Sequence, residues 1–248
     1  MNSNSVVMLR RNLRHTVRNP VAVFNAILFP IILMLMFVYV FGDAFDVGGA
    51  DYVDYATPGM LMLAIVYGLS ATVMAVNSDM TTGVINRFKV MDVSRSAVLT
   101  GHVFSTVLRT GLALAAIFAV AFLMGFDPQA SAAEWLGVLG VLALVVFAVS
   151  WLTVALGLFA KSPETAAFTV VPLIMLPFFS SAIVPAEAMG TGIRQFAEYQ
   201  PFTSIIESVR GFLTGTPDTG QTFATIAWSV AIILVSFFWA RANYGRRA

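Results

Sequence analysis

The chain is organised by long apolar runs separated by short polar ones. A helix that crosses a bilayer needs about 20 mostly apolar residues, and six stretches qualify: 21–41, 56–76, 104–125, 135–159, 166–184 and 223–240. They are continuously apolar, whereas a membrane β-barrel would alternate in segments of roughly ten residues. Helices are expected because lipid offers no water to satisfy unpaired backbone groups. The fifth stretch carries Pro172 and Pro177 and is expected to be interrupted. The first follows RRNLRH and has the look of a signal peptide, but its apolar run exceeds the roughly 7–15 residues of a secretory core and no A-x-A site closes it. An uncleaved first span is therefore expected.

Two further segments carry a pattern without being long enough to span. At about 100° per residue, Val6, Leu9, Leu13 and Val17 share one narrow sector, with Arg10, Arg11, Arg14 and Arg18 fanning out beside it. Residues 5–19 thus read as a short amphipathic helix lying in the interface, its arginines facing lipid phosphates, or as a basic flank that orients the first span. Residues 185–221 are long for a structureless loop. Prolines 185, 201 and 217 divide them, and Phe202, Ile205, Ile206, Val209 and Phe212 fall on one helical face. Two short helices folded back at the outer surface are expected, with Glu207 and Arg210, three apart, positioned to pair as a structural clamp.

Composition strengthens the membrane reading. Hydrophobic residues make up 58% of the 248-residue chain and charged residues 11%, against roughly 25% charged in a soluble domain. The distribution of charge sets the expected topology. With both termini cytoplasmic, Arg10, Arg11, Arg14, Arg18, Arg87, Lys89, Arg95, Lys161, Arg241, Arg246 and Arg247 lie inside, and only Arg194 and Arg210 lie outside. Six spans satisfy the positive-inside rule, whereas seven would place the basic tail outside. A multi-pass protein of the plasma (inner) membrane is expected.

Candidate chemistry is sparse. There are no cysteines and two histidines, which removes thiol chemistry and leaves little for a metal site. No GxxxxGK[ST] phosphate loop, H-E-x-x-H or G-x-S-x-G appears, so no catalytic residue, metal or cofactor is expected in this chain. The spans hold no Asp, Glu or Lys of the kind that proton- or sodium-coupled carriers place near the midplane, which counts against a stand-alone secondary carrier or channel. Arg109 is the ionisable residue well inside a span. It reads either as an intramembrane polar contact to substrate or lipid headgroup, or as a side chain snorkelling to the inner surface. The segment NSDMTTGVINRFKVMDVSRSAVLTGH, 77–102, holds a charged helical stretch long enough for a short surface helix; it reads equally as a docking point for an energy source or as a solvated connector.

Taken in order, LRRNLRHTVRNP before the first span, DMTTGVINRFKVMDVSRSAVLTGHV after the second, ALGLFAKSPETA after the fourth and FAEYQPFTSIIESVRGFLTGTP after the fifth give a chain that resembles the ABC-2-type exporter permeases, especially the daunorubicin-resistance-like membrane subunits, over essentially its whole length. Asp79 stands where many members carry Glu, and MDVSR replaces a proline-containing turn. The resemblance implies an all-α, six-span domain with residues 1–20 as an elbow helix and 185–221 as re-entrant helices. It implies a cytoplasmic coupling helix within 79–95, seated in a groove of a separate ATPase, with Asp79, Gly83, Asn86, Arg87, Phe88 and Arg95 as the candidate contacts. It further implies two permeases, homo- or heterodimeric, and two ATPase subunits that bind ATP and Mg. Export of an amphipathic drug, lipid or secondary metabolite follows from the same likeness, with no nucleic-acid partner.

Overall fold

The computed structural model describes residues 24–44, 51–81 and 95–247. Every regular element among them is helical. A π-turn, Phe24–Leu28, leads into α1, Phe29–Phe41, with a 3-10 turn at Gly42–Ala44. The second apolar stretch forms α2, Tyr52–Tyr67, and α3, Leu69–Thr81, divided by a turn at Gly68. Then come α4, Arg95–Leu123, α5, Ala132–Phe159, α6, Pro163–Met175, and a 3-10 turn, Leu176–Phe179. Two short helices, α7, Thr191–Tyr199, and α8, Pro201–Leu213, precede the last helix, α9, Thr219–Arg247.

Among the described residues, four helical stretches are long and apolar enough to cross a membrane: Tyr52–Thr81, Leu99–Leu123, Ala132–Phe159 and Thr219–Ala242. Within the first and fifth predicted segments the described apolar helices are shorter, Phe29–Val40 and Pro163–Phe179. At 1.5 Å per residue the 13 residues of α6 cover only about 20 Å of a roughly 30 Å hydrocarbon layer. Proline accounts for the shortening. Pro177 has no N–H to continue the ladder, and the α-helix gives way to a 3-10 turn at Leu176. The expected run to Val184 therefore stops at Phe179, and residues 180–184 form turns.

The sequence punctuates these helices in recognisable ways. Ser131 and Glu134 form a reciprocal capping box at the start of α5. Ser162 accepts the Thr165 N–H at the start of α6. Gly125 and Gly215, with φ of 97° and 73°, end α4 and α8. In each case the following residue's N–H reaches back five residues, Phe126 to the Ala121 carbonyl and Thr216 to the Gly211 carbonyl.

α2 is the centre of the bundle. Thirteen of its residues are buried, from Tyr52 to Val66, and α1, α4 and α8 pack around it. Because lipid is as apolar as a leucine side chain, contact between such helices depends on close van der Waals fit rather than on escape from water. Small residues make that fit possible. A Cβ added to Gly59 would sit 2.1 Å from the Ala182 carbonyl oxygen, and one added to Gly157 would sit 2.7 Å from Val76 Cβ. α9 packs along α5 and α8 and turns Phe223, Leu234, Val235 and Phe238 outward, as a lipid-facing helix does.

Candidate functional site

Among the described residues, two polar regions interrupt the apolar bundle. The first lies between α3 and α4, the helices that flank residues 82–94. His102 Nε2 stands 3.1 Å from Asp79 Oδ2, with both residues buried. One turn further along α4, the Thr106 hydroxyl bonds the His102 carbonyl at 2.8 Å and lies 2.8 Å from the Thr72 hydroxyl. Beyond that, one Arg109 terminal nitrogen donates to both the Gly68 carbonyl and the Thr72 hydroxyl, each at 2.6 Å. His102, Thr106 and Arg109 recur at the spacing of one helix face, and Gly68, Thr72 and Asp79 answer from the broken second span. Asn77 adds a separate tie from α3 to the end of α5 by donating to the Ala160 carbonyl at 2.6 Å.

Arg109 corrects the snorkelling expectation. Its side chain is 8% exposed and turns inward to the break at Gly68, so both of these bonds are made inside the bundle. Asp79, which the resemblance groups with the ATPase contacts, is 8% exposed and faces His102. Arg95 opens α4. Gly83, Asn86, Arg87 and Phe88 lie outside the described residues, as do Arg10, Arg11, Arg14 and Arg18.

The second region is at the opposite end of the bundle. One Arg210 terminal nitrogen pairs with Glu207. The other donates to the Ser181 carbonyl at 2.8 Å and the Tyr55 carbonyl at 3.1 Å, while the guanidinium carbon sits 3.9 Å from the Tyr55 ring centroid. The two residues expected to pair do so, and the arginine also joins α8 to α2 and to the segment after α6. That segment is fastened again by the Tyr55 hydroxyl to the Ser181 carbonyl and the Tyr52 hydroxyl to the Ile183 carbonyl, both 3.0 Å. Gln200 adds bonds to the Phe179 and Leu176 carbonyls at 2.5 and 3.3 Å. Beside the clamp lies a cavity of about 470 Å³ lined by Tyr55, Glu187, Glu198, Thr203, Glu207 and Arg210, among others. Glu198 is engaged by Arg194 Nε at 2.7 Å, which holds the guanidinium further into its charged range. Among the described residues no group of three or more His, Cys, Asp or Glu is placed to hold a metal.

Sequence reasoning missed Thr72, His102, Thr106, Tyr55 and Gln200. A usable signal existed for two of them: His102 and Thr106 share one face of an apolar helix with Arg109. Tyr55 and Gln200 act on carbonyls far away in sequence, which no local pattern reveals.

A helical bundle with lipid-facing apolar surfaces and buried polar ties is a membrane architecture. The ABC-2 type transporter family matches residues 4–214, and the chain belongs to that family. It is 31% identical over 220 residues to the daunorubicin resistance ABC transporter permease protein DrrB1 of Streptomyces coeruleorubidus, covering 86% of this chain and 77% of that protein. It is 22% identical over 235 residues to the probable doxorubicin resistance ABC transporter permease protein DrrC of Mycobacterium tuberculosis, covering 94% of this chain and 85% of the relative.

Proposed function

We propose that this chain is the permease subunit of an ATP-driven exporter. The family match across residues 4–214 carries the reading. In this reading the chain spans the membrane six times with both termini in the cytoplasm, residues 1–20 form the interfacial elbow, and residues 185–221 fold back at the outer face. The chain is no enzyme: ATP and Mg belong to two separate ATPase subunits, one under each of two permeases. The substrate is an amphipathic drug, lipid or secondary metabolite, passed along a path between the permeases by alternating access. Two relatives whose names refer to daunorubicin and doxorubicin resistance support that class.

The segment that receives the ATPase is 79–95, centred on Gly83, Asn86, Arg87 and Phe88 with Arg95 at its end. It is the basic connection between α3 and α4, and those two helices are tied just beneath it by Asp79 and His102. Arg87→Glu inverts charge at that surface, and Phe88→Ala removes an aromatic anchor of the sort that dominates interfaces. Both variants are expected to insert normally and to lower permease-dependent ATP hydrolysis about tenfold or more, corresponding to about 1.4 kcal/mol or more of lost interaction. Hydrolysis assayed on the co-expressed complex in lipid checks this. Wild-type rates in both variants would remove the loop from the mechanism.

A further inference from the structure

The break at Gly68 changes what the second span packs against. Before it, α2 runs along α4; after it, α3 turns to α5 and α6 and makes only sparse contact with α4. The space this leaves between α3 and α4 is bridged by polar side chains: Asp79 to His102 at 3.1 Å, Thr72 to Thr106 at 2.8 Å, and Arg109 to Gly68 and Thr72 at 2.6 Å. Apolar contacts tolerate sliding, but hydrogen bonds demand a narrow distance and angle and so fix the register of two helices. Arg109 sits at the inner end of this ladder, about 10 Å along α4 from His102. It grips both the break itself and the first turn beyond it.

The position is a costly one for a cation. Arg109 is 8% exposed, its two bonds at Gly68 and Thr72 go to neutral oxygens, and its Nε has no partner among the described residues. A packing role alone would be served by leucine or methionine. What a guanidinium adds is a charge-assisted bond to each side of one joint.

We infer that Arg109 is a positioning residue for transport. It pins the joint at Gly68 so that displacement of the loop between α3 and α4 reaches the centre of the bundle instead of being lost as slack between those helices. Asp79 and His102 hold the loop end of the same ladder, and Thr72 and Thr106 hold its middle. The inference rests on the reading of residues 79–95 as the ATPase contact.

The test uses the permease in complex with its ATPase, reconstituted in lipid nanodiscs. The chain has no cysteine of its own, so spin labels at Met74 on α3 and Leu108 on α4, both outward-facing, report the distance across the ladder. A dye at Tyr199, 80% exposed at the far end, reports the ATP-dependent movement in a parallel sample. The expected result is a narrow Met74–Leu108 distribution in the parent complex that ATP plus vanadate leaves narrow. Arg109→Met broadens it at least twofold and lowers the ATP-dependent signal at Tyr199 about tenfold, while ATP hydrolysis stays within about twofold. Arg109→Lys, which keeps a charged donor, recovers most of both. Thr72→Val, which removes one of the two acceptors, gives a smaller change of the same kind and stands in if Arg109→Met does not accumulate. An unchanged distribution or an undiminished Tyr199 signal in these variants overturns the inference. A parent complex without any ATP-dependent signal overturns the coupling reading itself, and the transmission role with it.

Discussion

Gly59→Val is expected to abolish accumulation of folded protein, and even Gly59→Ala is expected to lower the melting temperature by about 10 °C. A Cβ at this position would lie 2.1 Å from the carbonyl oxygen of Ala182 and 2.6 Å from its Cα. These are backbone atoms, which cannot rotate aside. Nor is the backbone there free to retreat: Tyr55 and Tyr52 bond the carbonyls of Ser181 and Ile183 on either side of it, and the Ala182 N–H bonds Ser180 Oγ. Overpacking in a fixed core costs about 1–3 kcal/mol and sometimes more; a contact this close to fixed backbone belongs at or above the top of that range, and each kcal/mol is worth about 2–4 °C in a chain of this size. Gly137→Ala is the control. Its added Cβ would meet the Phe212 ring at 2.7 Å, and a ring can turn. Thermal challenge of detergent-solubilised variants, read by size-exclusion fluorescence, separates the two. Equal melting temperatures for Gly59→Ala and Gly137→Ala would refute the packing argument.

Arg210→Met is expected to cost about 3 kcal/mol and to loosen the far end of the bundle as a whole. The substitution removes the Glu207 pair, two bonds to the carbonyls of Tyr55 and Ser181, and the contact with the Tyr55 ring. A hydrogen bond from a charged donor contributes about 1.5–3 kcal/mol net. A cation over an aromatic face contributes about 0.5–2 kcal/mol. The sum is reduced because Glu207 is about a third exposed and can rehydrate, whereas the arginine side chain is only 12% exposed. Arg210→Lys keeps the charge but not the fork that reaches three partners, so an intermediate loss is expected. Glu207→Gln should cost least, since the two carbonyl bonds remain. Hydrogen exchange of residues 52–67 and 176–213 tests the order: protection falls from Glu207→Gln through Arg210→Lys to Arg210→Met. A loss confined to α8 alone would show that the arginine does not tie α8 to α2.

The long helices were legible because each is a continuous apolar run flanked by polar residues or glycine. The stretch read as 135–159 is helical from Ala132 to Phe159, and the one read as 223–240 lies inside Thr219–Arg247. The short helices at 185–221 were legible from prolines and from one apolar face: Phe202, Ile205, Ile206 and Val209 are buried, as that face requires. The break at Gly68 was not legible. A glycine in an apolar helix carries no local mark that separates a tolerated residue from a joint; here the difference lies in Arg109, forty-one positions away in the chain. The same distance explains why the sequence left two readings of Arg109 open, a polar contact within the membrane and a side chain snorkelling to the inner surface. Snorkelling is the usual solution for an arginine near a helix end, and only the neighbouring span shows that two oxygens wait for it inside. The shortness of α6 was signalled by Pro172 and Pro177, but the residue at which the helix stops was not.

Purification of the chain from native membranes in mild detergent, with mass spectrometry of everything that accompanies it, tests whether a separate ATPase drives this permease. The expected result is an ATPase with a phosphate-binding loop in one-to-one ratio with permease, and ATP hydrolysis by the purified assembly. A chain that purifies alone and moves solute in vesicles without ATP would contradict it.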